Sequence, residues 1–93
     1  MRELVWHTSF RRAFKKCIKK KPYLEQRIFD TLQKLVYDPL EPTLETHKLK
    51  GRLEGLWACK VEYDCRIVFG FESIPDKIGR IVLIDIGTHE EVY

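Results

Sequence analysis

The stretch "LWACKVEYDCRIVFGFE", residues 56–72, constrains the fold more than any other part of this chain. Trp57, Cys59, Val61, Cys65, Ile67, Phe69 and Phe71 place apolar side chains at odd positions, while Lys60, Glu62 and Arg66 occupy even ones. A period of two is the mark of a half-buried strand and does not suit a helix. The alternation runs unbroken across Tyr63 and Asp64, so two strands sharing one core must pair odd with odd. The tightest such hairpin has Glu62, Tyr63 and Asp64 as its loop, Val61 opposite Cys65, and Lys60 opposite Arg66. Like charges directly across a sheet repel each other. A bound anion would remove that cost.

The segments around the hairpin complete the layout. "ELVWH" reads as a short strand, after which Thr8 or Ser9 can cap a helix with Phe10, Ala13, Phe14, Cys17 and Ile18 at helical spacing. Arg11, Arg12, Lys15, Lys16, Lys19 and Lys20 fill its other face. Pro22 suits the first turn of a second helix carrying Leu24, Ile28, Leu32, Leu35 and Val36, which the prolines of "DPLEP" end. "THKLKGRLEG" is a loop or irregular strand and "IPDKIG" a turn. "RIVLIDIG" is apolar at nearly every residue, as a central strand buried on both faces would be. The expected fold is α+β, one domain over 1–93, with an N-terminal helical hairpin packed on a small, mostly antiparallel sheet of four to five strands.

At 93 residues there is room for one core, and no apolar run approaches the ~20 residues of a membrane span. "MRELVWHTSF" lacks the apolar length of a signal peptide, so a reducing, cytoplasmic setting is expected. Cys17, Cys59 and Cys65 are odd in number and form no C-x-x-C pair, which argues against a disulfide framework and a zinc ribbon. All three read as small buried hydrophobes, and neither a metal nor a cofactor is expected. The net charge of +3 conceals a polarity: residues 1–21 hold eight Lys or Arg against Glu3, a net +7, leaving −4 on the rest. A basic face of this kind suits a nucleic acid or an acidic protein partner, although a solvated helix face has the same composition.

Polar residues collect at strand ends: His47 in "THKLKG", Lys60 and Arg66 on the hairpin's polar face, Asp64 at its turn, His89 and Tyr93 after the last strand. RNA cleavage through the 2′-hydroxyl needs a base, an acid for the leaving 5′-oxygen, and fixed cations for the charge on the phosphorane. Two histidines, titrating ordinarily near about 6.5, can supply the acid and base, and Lys60 with Arg66 the cations. Taken singly, each has a plainer reading: His47 as a surface residue, Asp64 as a turn former, Tyr93 as a chain end.

With the basic helical hairpin, "HKLKG", "W-x-C-K-V-E-Y-D-C-R-I-V-F" and the ending "D-I-G-T-H-E-E-V-Y", the chain resembles the RelE superfamily of bacterial toxins, in its YafQ-like branch, over essentially its whole length. The resemblance implies a RelE-like α+β domain and an mRNA endoribonuclease, usually acting in the ribosomal A site. It also implies silencing by a cognate acidic antitoxin in a toxin–antitoxin hetero-oligomer. His47, Asp64 and His89 match the family's catalytic positions, Tyr93 its C-terminal aromatic, and Arg66 a basic position that binds the scissile phosphate in other branches. Lys60 departs from the branch, which often has histidine there, and a lysine, ordinarily titrating at roughly 10.4, makes a better phosphate clamp than base.

His47 is then the expected base, His89 the acid, and Asp64 the residue that orients an imidazole or raises its pKa. Tyr93 would stack a base or orient the phosphate, with Lys48 and Lys50 adding RNA contacts. Arg11, Arg12, Lys15, Lys16, Lys19 and Lys20 would dock the ribosome or the antitoxin. Two other classes stay open: a non-enzymatic ParE-like gyrase inhibitor on the same fold, and a degenerate toxin that only regulates its operon.

Overall fold

A computed structural model describes residues 2–73, 75 and 79–93. Strand β1 (Glu3–Trp6) leads into helix α1 (Thr8–Lys20) and helix α2 (Leu24–Tyr37). A 3-10 turn at Pro42–Leu44 precedes β2 (His47–Lys48), and a second at Gly51–Leu53 precedes β3 (Trp57–Glu62), β4 (Cys65–Glu72), β5 (Arg80–Gly87) and the short helix α3 (His89–Val92). The five strands form one mixed sheet in the order β1-β5-β4-β3-β2, antiparallel except that β1 runs parallel to β5. Most of the turn expected at "IPDKIG" lies outside the described residues.

The alternation in β3 and β4 sets the register as expected: Trp57 faces Phe69, Cys59 faces Ile67 and Lys60 faces Arg66. Only the turn differs. Glu62, not Val61, lies opposite Cys65, with a shift between Lys60 and Glu62, so the loop shrinks to Tyr63 and Asp64. A bulge of this kind kinks the strand and re-aims a side chain. Here Val61 packs against the core while Glu62 reaches α2, accepting a hydrogen bond from the Tyr23 hydroxyl at 2.8 Å and lying 3.7 Å from Arg27 Nε.

Both long helices bury their apolar stripes against one face of the sheet. Phe10, Phe14, Leu24, Ile28, Leu32 and Leu35 meet Cys59, Cys65, Ile67, Phe69, Ile81, Leu83 and Ile86 in one cluster. Trp6 packs edge-on against Phe10 and Phe14, with ring centroids 5.0 and 5.1 Å apart, which ties β1 to α1. Burying such a ring contributes several kcal/mol, and truncating it leaves a cavity. Phe10→Ala is therefore expected to cost about 3–5 kcal/mol, readable as a shift in the urea unfolding midpoint.

Three local expectations are corrected. The α1 cap is His7, whose Nδ1 accepts from Ser9 N at 3.2 Å; the Ser9 hydroxyl is committed instead to Ile84 O at 2.5 Å, fastening the helix to β5. Pro22 stands just before α2 rather than inside it, because Leu24 N bonds Lys21 O and a separate turn precedes the helix. β5 is buried at Ile81, Leu83 and Ile86, but Val82, Ile84 and Asp85 are only half-buried, since the helices cover one face of the sheet.

Partial burial pushes the Asp85 carboxyl above its ordinary range, although Ile86 N donates to it at 2.8 Å and pulls the other way. A raised folded-state value means that Asp85 favours the fold at acid pH and loses that contribution as pH rises through its titration. Asp85→Asn keeps the acceptor and removes the charge. It is expected to raise the melting temperature at neutral pH, with the gain over wild type vanishing toward acid pH in a thermal series.

Candidate functional site

The candidate side chains gather at one end of the sheet because of strand register. His47 pairs with Ala58, two residues before Lys60, so His47 and Lys60 share the face turned away from the helical core. Lys60 faces Arg66, and Arg66 faces Gly87, which brings the start of α3 alongside. Lys48 pairs with Trp57 on the opposite face, its ammonium 5.5 Å from the indole centroid.

α3 carries the other half of the site, and the reading of His89 and Tyr93 simply as residues after the last strand missed this helix. Its signal is "T-H-E-E", a capping box. Glu91 N donates to Thr88 Oγ1 at 3.2 Å and Thr88 N donates to Glu91 Oε1 at 2.9 Å. That backbone donor holds the Glu91 carboxyl below its usual range. Val92 is buried and anchors the turn. Gly87 makes room for it: a Cβ there would lie 3.0 Å from Glu91 Oε1 and 3.3 Å from a Val92 methyl.

Held this way, Tyr93 stands between the two histidines. Its ring centroid is 4.3 Å from that of His89 and 6.2 Å from that of His47, edge-on to both, and its hydroxyl lies 3.4 Å from His47 Nε2. Burial raises the Tyr93 phenol above its ordinary value, with the Arg66 cation pulling the other way, so it stays protonated as a donor at neutral pH. His47 Nδ1 lies 3.0 Å from Glu45 O. A carbonyl only accepts, so Nδ1 carries the hydrogen, and in the neutral ring Nε2 is then the acceptor that faces the Tyr93 hydroxyl.

A cleft of about 470 Å3 lined by Tyr63, Asp64, Arg66, Thr88, His89 and Glu90 adjoins this aromatic cluster. Arg66 directs Nη1 back to the carbonyls of Glu62 and Cys65, which fixes the guanidinium without neutralising it. Lys60 does not wait for an anion: its Nζ is 3.1 Å from Glu45 Oε2, so Glu45 screens this one of the two facing cations. Asp64 lies on the rim beside His89, and among the described residues no hydrogen bond or ion pair joins it to an imidazole.

Lys50 and Tyr93 line a second hollow with Arg52, a cation that sequence reasoning passed over because "KGRLEG" has no regular period. Arg11, Arg12, Lys15, Lys16, Lys19 and Lys20 are all exposed along α1, and Lys20 reaches a cavity of about 340 Å3 that Asp64 and Thr88 also line. Among the described residues no group of three or more His, Cys, Asp or Glu is placed to hold a metal ion, and no helix is long and apolar enough to cross a membrane. Cys59 and Cys65 are buried thiols pushed up to about 12 by desolvation, which makes them packing residues.

The chain belongs to the family described as bacterial toxin of type II toxin–antitoxin system, YafQ, whose model matches residues 2–93. Solved structures of the same fold include a YoeB/ParE toxin from Agrobacterium tumefaciens, 20% identical with a TM-score of 0.76, covering 94% of this chain and 98% of that one. Another is a metal-bound toxin from Helicobacter pylori, 23% identical, covering 100% of both chains with a TM-score of 0.77. In the E. coli DinJ-YafQ toxin-antitoxin complex the similarity is 18% identity over 99% of this chain and 97% of that one, with a TM-score of 0.74. No curated protein sequence matches the chain.

Proposed function

We propose that this toxin is an endoribonuclease that cleaves mRNA on the ribosome and is silenced by a cognate acidic antitoxin. The observation that carries the reading is the grouping of His47, Tyr93 and His89 beside Arg66, from segments up to 46 residues apart in sequence. A binding surface has no need of two imidazoles linked through a phenol, whereas phosphodiester cleavage needs an acid, a base and a cation together.

In this reading His47 Nε2 takes the 2′-hydroxyl proton, its tautomer set by Glu45 O. The 2′-oxygen attacks phosphorus, and His89 protonates the departing 5′-oxygen, leaving a 2′,3′-cyclic phosphate and a 5′-hydroxyl. Arg66 stabilises the phosphorane charge, with Lys60 as a second cation. Tyr93 orients His47 and stacks on a base, and Asp64 lines the rim of the cleft beside His89, where it can orient that imidazole. The chemistry needs no metal or cofactor.

Support for the antitoxin comes from family membership, from the E. coli relative solved as a complex with DinJ, and from the exposed cations of α1. The same cations suit ribosomal RNA, so antitoxin and ribosome compete for them in the cytoplasm. The reading is tested by brief expression without antitoxin, followed by mapping of mRNA 5′ ends with and without translation blocked. New 5′-hydroxyl ends that require translation are expected. Growth arrest with intact mRNA would contradict the nuclease and point to a protein target.

A further inference from the structure

Glu45 is the one non-glycine among the described residues with a positive φ, at 49° with ψ 41°. Left-handed backbone favours glycine or asparagine, so the conformation does not explain a glutamate there. Its contacts do. The residue ends the 3-10 turn immediately ahead of β2, with its carbonyl 3.0 Å from His47 Nδ1 and its carboxylate Oε2 3.1 Å from Lys60 Nζ. The pair is open to water, with the Lys60 side chain 34% and the Glu45 side chain 62% exposed, so it contributes little to stability.

We propose that Glu45 is the resident counter-ion of Lys60, standing where an RNA phosphate would bind and setting how tightly the site holds RNA. This rests on the RNA-cleaving reading above. Two cations face each other across β3 and β4, and they are held differently. Arg66 is tethered by carbonyls, which orient it and leave its charge free for a phosphate. Lys60 is neutralised by a carboxylate, so its charge becomes available only as a phosphate displaces Glu45. The exchange lowers affinity for substrate and cleaved RNA alike, and so favours release. Glu45 is on this account a positioning residue with a specificity role, selecting for an oxyanion that can compete with a carboxylate.

The test measures binding of a fluorescent single-stranded 2′-O-methyl oligoribonucleotide, which cannot be cleaved, to the full chain across a salt series. Removing the carboxylate in Glu45→Gln is expected to tighten binding roughly threefold and to steepen the log–log salt dependence by about 0.7, one further phosphate neutralised on a single strand. Glu45→Gly, which suits the backbone, should behave the same way. In a Lys60→Met background the effect of Glu45→Gln should vanish. Binding unchanged or weakened by both Glu45 substitutions, or a gain that survives Lys60→Met, overturns the inference. A Lys60-dependent gain in a protein that cleaves no RNA would sustain the inference and sink the nuclease reading alone. Absence of any oligonucleotide binding by wild type would overturn the inference, while the mapping of mRNA 5′ ends decides the nuclease reading separately.

Discussion

His89→Ala is expected to lower the rate of RNA cleavage by about 10²–10⁴-fold, the range for loss of a positioned proton donor, while leaving the fold intact. His89 is exposed at the first turn of α3, and its described contact is the edge-on packing against Tyr93 at 4.3 Å. Neither the capping box of Thr88 and Glu91 nor buried Val92 depends on the imidazole, so the melting temperature should hold. The loss should fall on kcat with KM nearly unchanged, because the donor acts on charge that develops only in the transition state. An RNA whose scissile 5′-oxygen is replaced by sulfur leaves without a proton. Such a substrate should restore most of the rate to His89→Ala, whereas an equal defect on both substrates would deny the acid role.

Arg66→Ala is the second large effect, with cleavage expected to fall by about 10²–10³-fold, the usual consequence of removing a preorganised charge stabiliser. The guanidinium has five donors, and the carbonyls of Glu62 and Cys65 engage only Nη1, which leaves the rest for a phosphate in the cleft. Arg66→Lys keeps the charge and loses the fork, so it should recover only part of the rate. Because Arg66 also braces the hairpin turn, melting temperatures of both variants are needed beside their rates. Loss of activity that tracks loss of folded protein would remove Arg66 from the chemistry.

The two-residue period was strong enough to give the β3–β4 register and the opposition of Lys60 and Arg66, because a slip by one residue would turn Cys59, Ile67 and Phe69 out of the core. The bulge at Val61 was illegible for the opposite reason: it answers Tyr23, just ahead of α2, and Arg27 on α2, partners far away in sequence. The helical stripes were legible from spacing, but the caps were not, since His7 took the place that Thr8 or Ser9 would fill once Ser9 was drawn to β5. Within the site, His89 and Tyr93 four residues apart could be read as neighbours. The approach of His47 to Tyr93 depends on the left-handed turn at Glu45 and on the pairing of a two-residue strand, neither of which has a periodic signal. α3 could have been found from "T-H-E-E", a capping box printed in the sequence.

The most direct test of the account types the ends of RNA cut by purified toxin on programmed ribosomes. Transesterification through the 2′-oxygen predicts a 2′,3′-cyclic phosphate on the upstream fragment, a 5′-hydroxyl on the downstream one, and no cut at a scissile nucleotide carrying 2′-deoxyribose. A 5′-phosphate, or cleavage that survives removal of the 2′-hydroxyl, would contradict the assignment of His47 and His89 as base and acid.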